Sequence, residues 1–395
     1  MSVDRDPATE LVAAVADLWP AADVAGGAVQ ARFCVVPTAG GVGTALPLDS
    51  PRASARAVRR FNAAATTPAV AKRLILAAAL RVGVGRMLPA SFAVTGADTD
   101  SLATLLGTVF GEPVTFSVAI GTARVNRKRV LEIFGADGRT LGFAKLGGTA
   151  VSDADVAAEA AALPQLAEHS LPGLSLPRVL WSGSWQDARM VVISAVPQSP
   201  RQRRHDRRDP PLPEIAALTD TFAEGPATIV ESDWWKRTAE TFDSLADPGR
   251  RGRASACLAR LGERAGAPVP FSAWHGDWTP WNMARHPNGL SLWDWERFDT
   301  GVPAGLDVLH YLLNARLSGG LEPDRALGVL RDGESYWRAL GERVAGDPEV
   351  GIGMYLAEIL ARYLPLCEGA GGDILLPRTD ALLTTFELWA ELPSL

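Results

Sequence analysis

The chain has 395 residues, 47% hydrophobic and 21% charged, with a formal charge of −6. This length allows two or three domains around a sizeable core, and the acidic balance argues against general affinity for nucleic acid or anionic membrane. Three cysteines, Cys34, Cys257 and Cys367, lie far apart without metal-ligand spacing, so they give no disulfide framework and suit a reducing cytoplasm.

The N-terminus carries Asp4, Asp6 and Glu10 where a secretory signal would be basic and then apolar, and a cytoplasmic location is expected. Residues 1 to 110 read as a separate N-terminal extension of α/β character. The pattern predicts a helix over 8–18, strands over 31–37 and 44–48 around the turn TAGGVG, and helices over 51–65 and 68–83. A strand over 90–94 and a helix over 99–106 close the block. The apolar stretch 70–84 is interrupted by Lys72, Arg73 and Arg81, too short and too charged to span a bilayer. It predicts a buried amphipathic helix with an apolar face of Val70, Leu74, Ile75 and Ala78. No catalytic constellation occurs here, and a structural or substrate-capping role is expected.

Residues 111 to 197 read differently. Strands are expected over 114–120, 128–134 and 141–146, the last carrying Lys145. A helix over 153–168 follows, capped by Ser152 or Asp153 and containing Glu159, and then strands over 178–181 and 190–195. Residues 198 to 213 form a linker, with five arginines between Arg201 and Arg208 and prolines at both ends. From 214 to 395 the chain reads as mainly helical, with helices over 228–246, 250–265, 305–317, 324–344, 351–364 and 379–392.

One segment breaks that helical pattern, HGDWTPWNMARHPNGLSLWDWE at 275–296. Its order is His275, Asp277, four intervening residues, Asn282, and then Asp294 beyond the turn Pro287-Asn288-Gly289. Phosphoryl transfer needs a carboxylate to orient the acceptor hydroxyl, and an amide oxygen with a second carboxylate to hold Mg²⁺ on the phosphates. Asp277 fits the first task, and Asn282 and Asp294, as hard oxygen ligands, fit the second. His275 is expected to hold this catalytic loop by hydrogen bonds. The turn predicts a hairpin of 281–284 with 290–293.

Lys145 stands out because the chain has only four lysines, Lys72, Lys128, Lys145 and Lys236. A compact ammonium suits nucleotide phosphates. On the apolar strand GFAKLG it needs an anion, and Glu159 on the next helix is the natural one. The loop of residues 121–127, with Gly121 and Asn126, is expected to cover the phosphates with backbone amides. The backbone near Ala195 is expected to face adenine.

These residues resemble the aminoglycoside phosphotransferase and choline kinase family, which has a protein-kinase-like fold. The resemblance is carried by HGDWTPWN, WDWE, the aspartate of AGLDVLHYL, and GTARVN, FAKLG and EAAALPQL upstream, and it covers residues 112 to 395. It implies a two-lobed α+β fold with a small antiparallel sheet and a mainly helical second lobe. It also implies that Asp277 is catalytic, that Asn282 and Asp294 bind magnesium, that Lys145 with Glu159 positions the phosphates, and that Asp307 braces the site.

The function expected is transfer of the γ-phosphate of ATP, or of GTP, to a hydroxyl of a small molecule. From 321 to 395 there are thirteen acidic and six basic residues, which suit either a cationic acceptor such as an amino sugar or an acidic solvent face. A Ser or Thr of a biosynthetic peptide, a neutral sugar, and a non-catalytic nucleotide-binding role are the alternatives.

Overall fold

The structure is a computed structural model that describes residues 11–12, 15, 18, 29–38, 41–59, 67–87, 91–95, 101–120, 128–198, 209–317 and 320–393. The chain groups into two compact units, residues 1–164 with 177–196, and residues 165–176 with 197–395. Gly121, Asn126 and the arginines at 201–208 lie outside the described residues, as does most of the helix expected over 8–18.

The first unit is built on one eight-stranded sheet. Its strands are β1 (Val29–Thr38), β2 (Gly41–Pro47), β3 (Ser91–Thr95), β4 (Thr115–Ile120), β5 (Arg129–Phe134), β6 (Thr140–Leu146), β8 (Val179–Trp185) and β9 (Ala188–Ser194). They lie in the order β3-β1-β2-β4-β5-β6-β9-β8. The β5–β6 hairpin turns through Gly138, whose φ of +79° suits glycine. The β2–β4 pairing, Thr44 opposite Ala119, joins the strands of the first 110 residues to the rest. One core runs through the whole sheet: Leu11, Phe33, Val94 and Leu106 pack with Phe116, Leu131, Ala144 and Val192. The predicted extension is thus continuous with the sheet that carries Lys145.

Helices α1 (Pro51–Val58), α2 (Thr67–Arg81) and α3 (Leu102–Phe110) belong to the same unit. On α2 the expected inward face is reversed. Leu74 and Ile75 are 49% and 72% exposed, whereas Ala77 and Leu80 are buried. Its cations, Lys72, Arg73 and Arg81, are scattered among alanines and leucines, so its periodicity does not single out a face. Helix α4 (Ala150–Ala167) starts earlier than its sequence suggests. Thr149, not Ser152 or Asp153, caps it: the Ser152 amide donates to Thr149 Oγ1 (3.2 Å) and the Thr149 amide to Ser152 Oγ (3.0 Å). This reciprocal pair satisfies two end amides. Asp153 instead accepts from the Arg189 amide (3.0 Å).

The second unit is mainly helical, with α5 (Leu212–Thr221), α6 (Asp233–Asp243), α7 (Pro248–Arg264), α8 (Leu306–Arg316), α9 (Pro323–Arg331), α10 (Glu334–Ala339), α11 (Pro348–Glu368) and α12 (Leu376–Glu391). Helix α5 takes up the end of the expected linker, because prolines fit a first helical turn. The helix expected over 324–344 is broken at Gly333, where a Cβ would come within 2.7 Å of Leu312 Cδ1.

Two small sheets were not expected in full. One orders β10 (Glu224–Ala227), β11 (Val269–Trp274) and β14 (Asp299–Pro303); the other orders β12 (Met283–His286), β13 (Gly289–Leu292) and β7 (Leu174–Ser175). Among the described residues, one segment is long and apolar enough to cross a membrane by length and composition, Gly341–Glu368, and 67% of its apolar window is buried inside the fold. That is the packing of a core helix.

Candidate active site

In the first unit, β6 places Lys145 opposite Val130 on β5 and Val191 on β9, in the middle of the sheet. Its side chain is almost fully buried and meets a fully buried carboxylate. Lys145 Nζ lies 2.7 Å from Glu159 Oε1 and 2.6 Å from Oε2. A charged lysine in an apolar strand is tolerated only with such a partner. Ala195 follows β9, and its amide already donates to Leu141 O (3.0 Å), so only its carbonyl could face a base.

In the second unit, the buried strand β11 ends at Trp274 and delivers the His275–Asp277 turn. Gly276 has φ +77°, and a Cβ there would lie 2.3 Å from Arg297 O. Only glycine passes this point without strain. The turn is braced by Asp307, at the start of α8. Its carboxylate accepts from the His275 amide (2.8 Å) and the Gly276 amide (3.1 Å). Burial raises the Asp307 pKa from 3.8 to about 7, outweighing the two amides that favour the anion.

His275 is fully buried. Its Nδ1 accepts from the Asp277 amide (3.1 Å), so Nε2 carries the proton and donates to Trp293 O (3.1 Å). Burial lowers its pKa from 6.5 to about 4, which keeps the ring neutral. The histidine ties the loop to the end of β13, and both its ring nitrogens are engaged by backbone groups.

The Asp277 carboxylate is held at both oxygens. Asn282 Nδ2 donates to Oδ2 (2.8 Å) and to the Asp277 carbonyl (3.0 Å). His310 Nε2 lies 3.2 Å from Oδ1. The Asp277 side chain is nevertheless 38% exposed, while His310 behind it is 3% exposed. A half-exposed carboxylate fixed from its inner side can receive a hydroxyl group from outside.

The β12–β13 hairpin pairs Met283 with Leu292, and the Trp293 amide donates to Asn282 O (3.0 Å). Asp294 follows directly, with φ 66° and ψ 57°, a left-handed conformation that aspartate adopts only occasionally. Such strain is retained where the surroundings enforce it, often at functional positions. Asn282 commits its amide nitrogen to Asp277, which leaves its Oδ1 for a cation. With the Asp294 carboxylate this makes two hard oxygen donors. Among the described residues no group of three His, Cys, Asp or Glu side chains could hold a metal. A two-oxygen set fits Mg²⁺, which takes its remaining ligands from phosphates and water.

Sequence reasoning missed His310, Tyr355 and Arg362. Arg362, on α11, donates to Gly276 O (2.6 Å) and lies 4.5 Å over the Trp274 ring. A histidine inside the apolar run LDVLHYLL was the one available signal. Of the thirteen acidic residues over 321–395, several pair with arginine: Glu349 with Arg331, Glu334 with Arg338, Asp380 with Arg250 and Glu387 with Arg253.

The chain thus has an α+β fold with a buried Lys-Glu pair in its first unit and a braced aspartate loop in its second. A model of the phosphotransferase enzyme family (APH) matches residues 143–342, and the chain belongs to that family. Comparison with curated proteins returns no match. Among solved structures, the chain is similar to a macrolide 2′-phosphotransferase from Brachybacterium faecium, with 18% identity, 71% of this chain and 98% of that one covered, and a TM-score of 0.43. It is similar to a thermostable aminoglycoside phosphotransferase in a complex with ADP and hygromycin B, at 12% identity, 72% and 98% coverage and a TM-score of 0.43. A choline/ethanolamine kinase family protein from Mesorhizobium loti matches at 13% identity, 70% and 88% coverage and a TM-score of 0.40.

Proposed function

We propose that the chain transfers the γ-phosphate of ATP to a hydroxyl of a small molecule. The observation that carries this reading is the half-exposed Asp277 carboxylate, held at one oxygen by Asn282 and at the other by His310. Such a group orients an acceptor hydroxyl and takes its proton as the new P–O bond forms, while ADP leaves. Asn282 Oδ1 and Asp294 would hold Mg²⁺, which supplies charge stabilisation on the phosphates when bound. Lys145, fixed by Glu159, would neutralise nucleotide phosphate charge. His275 serves the loop and not the proton transfer.

The decisive experiment incubates the purified protein with Mg·ATP, or Mg·GTP, and a panel of hydroxylated small molecules. The products are read by mass for the gain of one phosphoryl group. Amino sugars, aminocyclitols, neutral sugars and Ser/Thr peptides form separate arms. A phosphorylated small molecule with matching ADP release is the expected result. Transfer only to peptides, or none with any acceptor, would overturn the reading.

A further inference from the structure

We propose that His310 is a positioning residue for Asp277, locked in one tautomer by Tyr355 so that a neutral N–H holds the carboxylate without a charge. This rests on the reading of Asp277 as the acceptor-orienting group. His310 sits on α8, one turn after Asp307, so one helix face presents both the brace of the loop backbone and the partner of the carboxylate.

Its ring is enclosed. Tyr355 OH on α11 lies 3.3 Å from Nδ1, and Trp274 and Tyr355 meet the ring edge-on at 6.2 Å and 6.1 Å. Asp277 Oδ1 can only accept, so Nε2 carries the ring proton, and Nδ1 of the neutral ring accepts from the phenol. Asn314 Nδ2 gives one N–H to His310 O (2.8 Å) and also lies 3.2 Å from Nε2, where it competes with Asp277 for that nitrogen. Asn314 Oδ1 in turn accepts from Arg378 (3.0 Å). Asp277 and Tyr355 therefore agree with one tautomer.

The choice of a neutral donor has a chemical consequence. A cation at 3.2 Å would weaken Asp277 as a proton acceptor, because an opposite charge stabilises the anion. Burial disfavours the imidazolium and outweighs the Asp277 carboxylate, which favours it, so the ring orients the carboxylate as an uncharged donor. Asn282 acts in the same way on Oδ2. With one donor on each oxygen, the outer lone pairs remain for the acceptor hydroxyl.

The test uses the full chain with Mg·ATP and water as acceptor, followed by ADP release, together with ¹⁵N-resolved spectra of the five histidines. In the wild type, the signal lost in His310→Gln should be a neutral Nε2–H ring at pH 7. A protonated or Nδ1–H ring would overturn the proposal. His310→Leu should lower kcat about tenfold or more with KM for ATP unchanged, as loss of a hydrogen bond to a charged group implies. His310→Gln, whose amide reaches the Nε2 position, should recover most of that loss.

Tyr355→Phe, which preserves packing, should give a smaller fall in kcat and a mixed tautomer signal; it decides the matter should His310→Leu fail to fold. Wild-type turnover in His310→Leu, or equal losses in His310→Leu and His310→Gln, would show that the residue only fills space. Asp277→Asn separates the two readings. If it keeps turnover, the assignment of Asp277 fails; if it is inactive while His310→Leu is not, only the positioning role fails.

Discussion

Lys145 and Asp277 are both charged groups in apolar surroundings, yet the two units hold them by opposite means. Lys145 is fixed by strand register, between Val130 and Val191, and its anion Glu159 comes from the helix that follows, fourteen residues on. Asp277 follows a left-handed glycine with no ladder bonds of its own. It depends on side chains from distant helices, Asp307, His310 and, through Gly276, Arg362, which is 86 residues away. A sheet supplies its own backbone order and needs only a counter-charge. A loop must have every orphaned polar group satisfied from elsewhere.

The sharpest break of this comparison is removal of residues 1–110. Eight of the sixteen buried residues in the shared core belong to that segment, from Leu11 to Leu106. Each large one contributes about 1.5–3 kcal/mol, and a whole domain is stable by only ~5–15 kcal/mol. Deletion also opens the edge of β4. Urea unfolding of the truncated chain should show no cooperative transition for the sheet unit. A truncated chain that still unfolds cooperatively with full amplitude would make the segment a separable module.

Next in size is Asp277→Ala. It should lower transfer by ~10²–10⁴, the usual worth of general-base help, with nucleotide affinity by titration nearly unchanged. Asp294→Asn should instead weaken Mg²⁺-dependent nucleotide binding. Equal loss of binding in both variants would blur the division of roles between the two carboxylates.

On the sheet side, Lys145→Met leaves the Glu159 carboxyl buried without its partner. Breaking such a pair costs about 3–5 kcal/mol. Both side chains are at most 7% exposed, so solvent does not relieve it. The double variant Lys145→Met with Glu159→Gln should regain most of the stability but none of the nucleotide affinity. If the single variant unfolds at the wild-type denaturant midpoint, register alone holds the strand.

The comparison also explains what the sequence made legible. The Lys145–Glu159 pair is local, a strand and the helix after it, and a lysine in GFAKLG needs an anion. The antiparallel hairpins announce themselves through Gly135–Gly138 and Asn288-Gly289. Asp307 entered through family resemblance, but His310 and Tyr355 did not, because their partnership spans 45 residues and joins two separate helices. Strand β11 was hidden for a related reason: buried among helices, VPFSAW has no alternation to mark it. The inward face of α2 was misread because its cations are scattered among alanines and leucines. Period finds a face only where polarity alternates.

The pH response of the loop tests the brace. Asp307 folds with its pKa raised from 3.8 to about 7, so between those values the folded chain keeps a proton that the unfolded chain has lost. Its contribution to stability is full at low pH and is lost as pH rises toward 7. His275 folds with its pKa lowered from 6.5 to about 4, so its contribution is full above 6.5 and is lost as pH falls. The two oppose each other over the same window. Asp307→Asn removes the first, and its melting temperature should therefore fall more steeply than that of the wild type between pH 6.5 and 4. Parallel melting curves would mean that Asp307 stays ionised throughout.

The smallest effect expected is that of Arg362→Lys. The guanidinium does three things at once: it donates to Gly276 O at 2.6 Å, lies 4.5 Å over Trp274, and approaches Glu358 Oε1 at 3.6 Å. A lysine can keep the charge beside Glu358 but cannot reproduce the planar fork that spans carbonyl and ring. Glu358, also bonded to Trp234 Nε1 (2.8 Å), therefore stays compensated, and the loss is limited to about one hydrogen bond, ~1 kcal/mol. Thermal melts should register that loss. Turnover should fall several-fold through a looser Gly276, with KM for ATP unaltered. Arg362→Met, which leaves Glu358 without its cation, should be clearly worse in stability. If Lys and Met variants prove alike, the carbonyl bond to Gly276 and not the charge pairing is what α11 contributes to the loop.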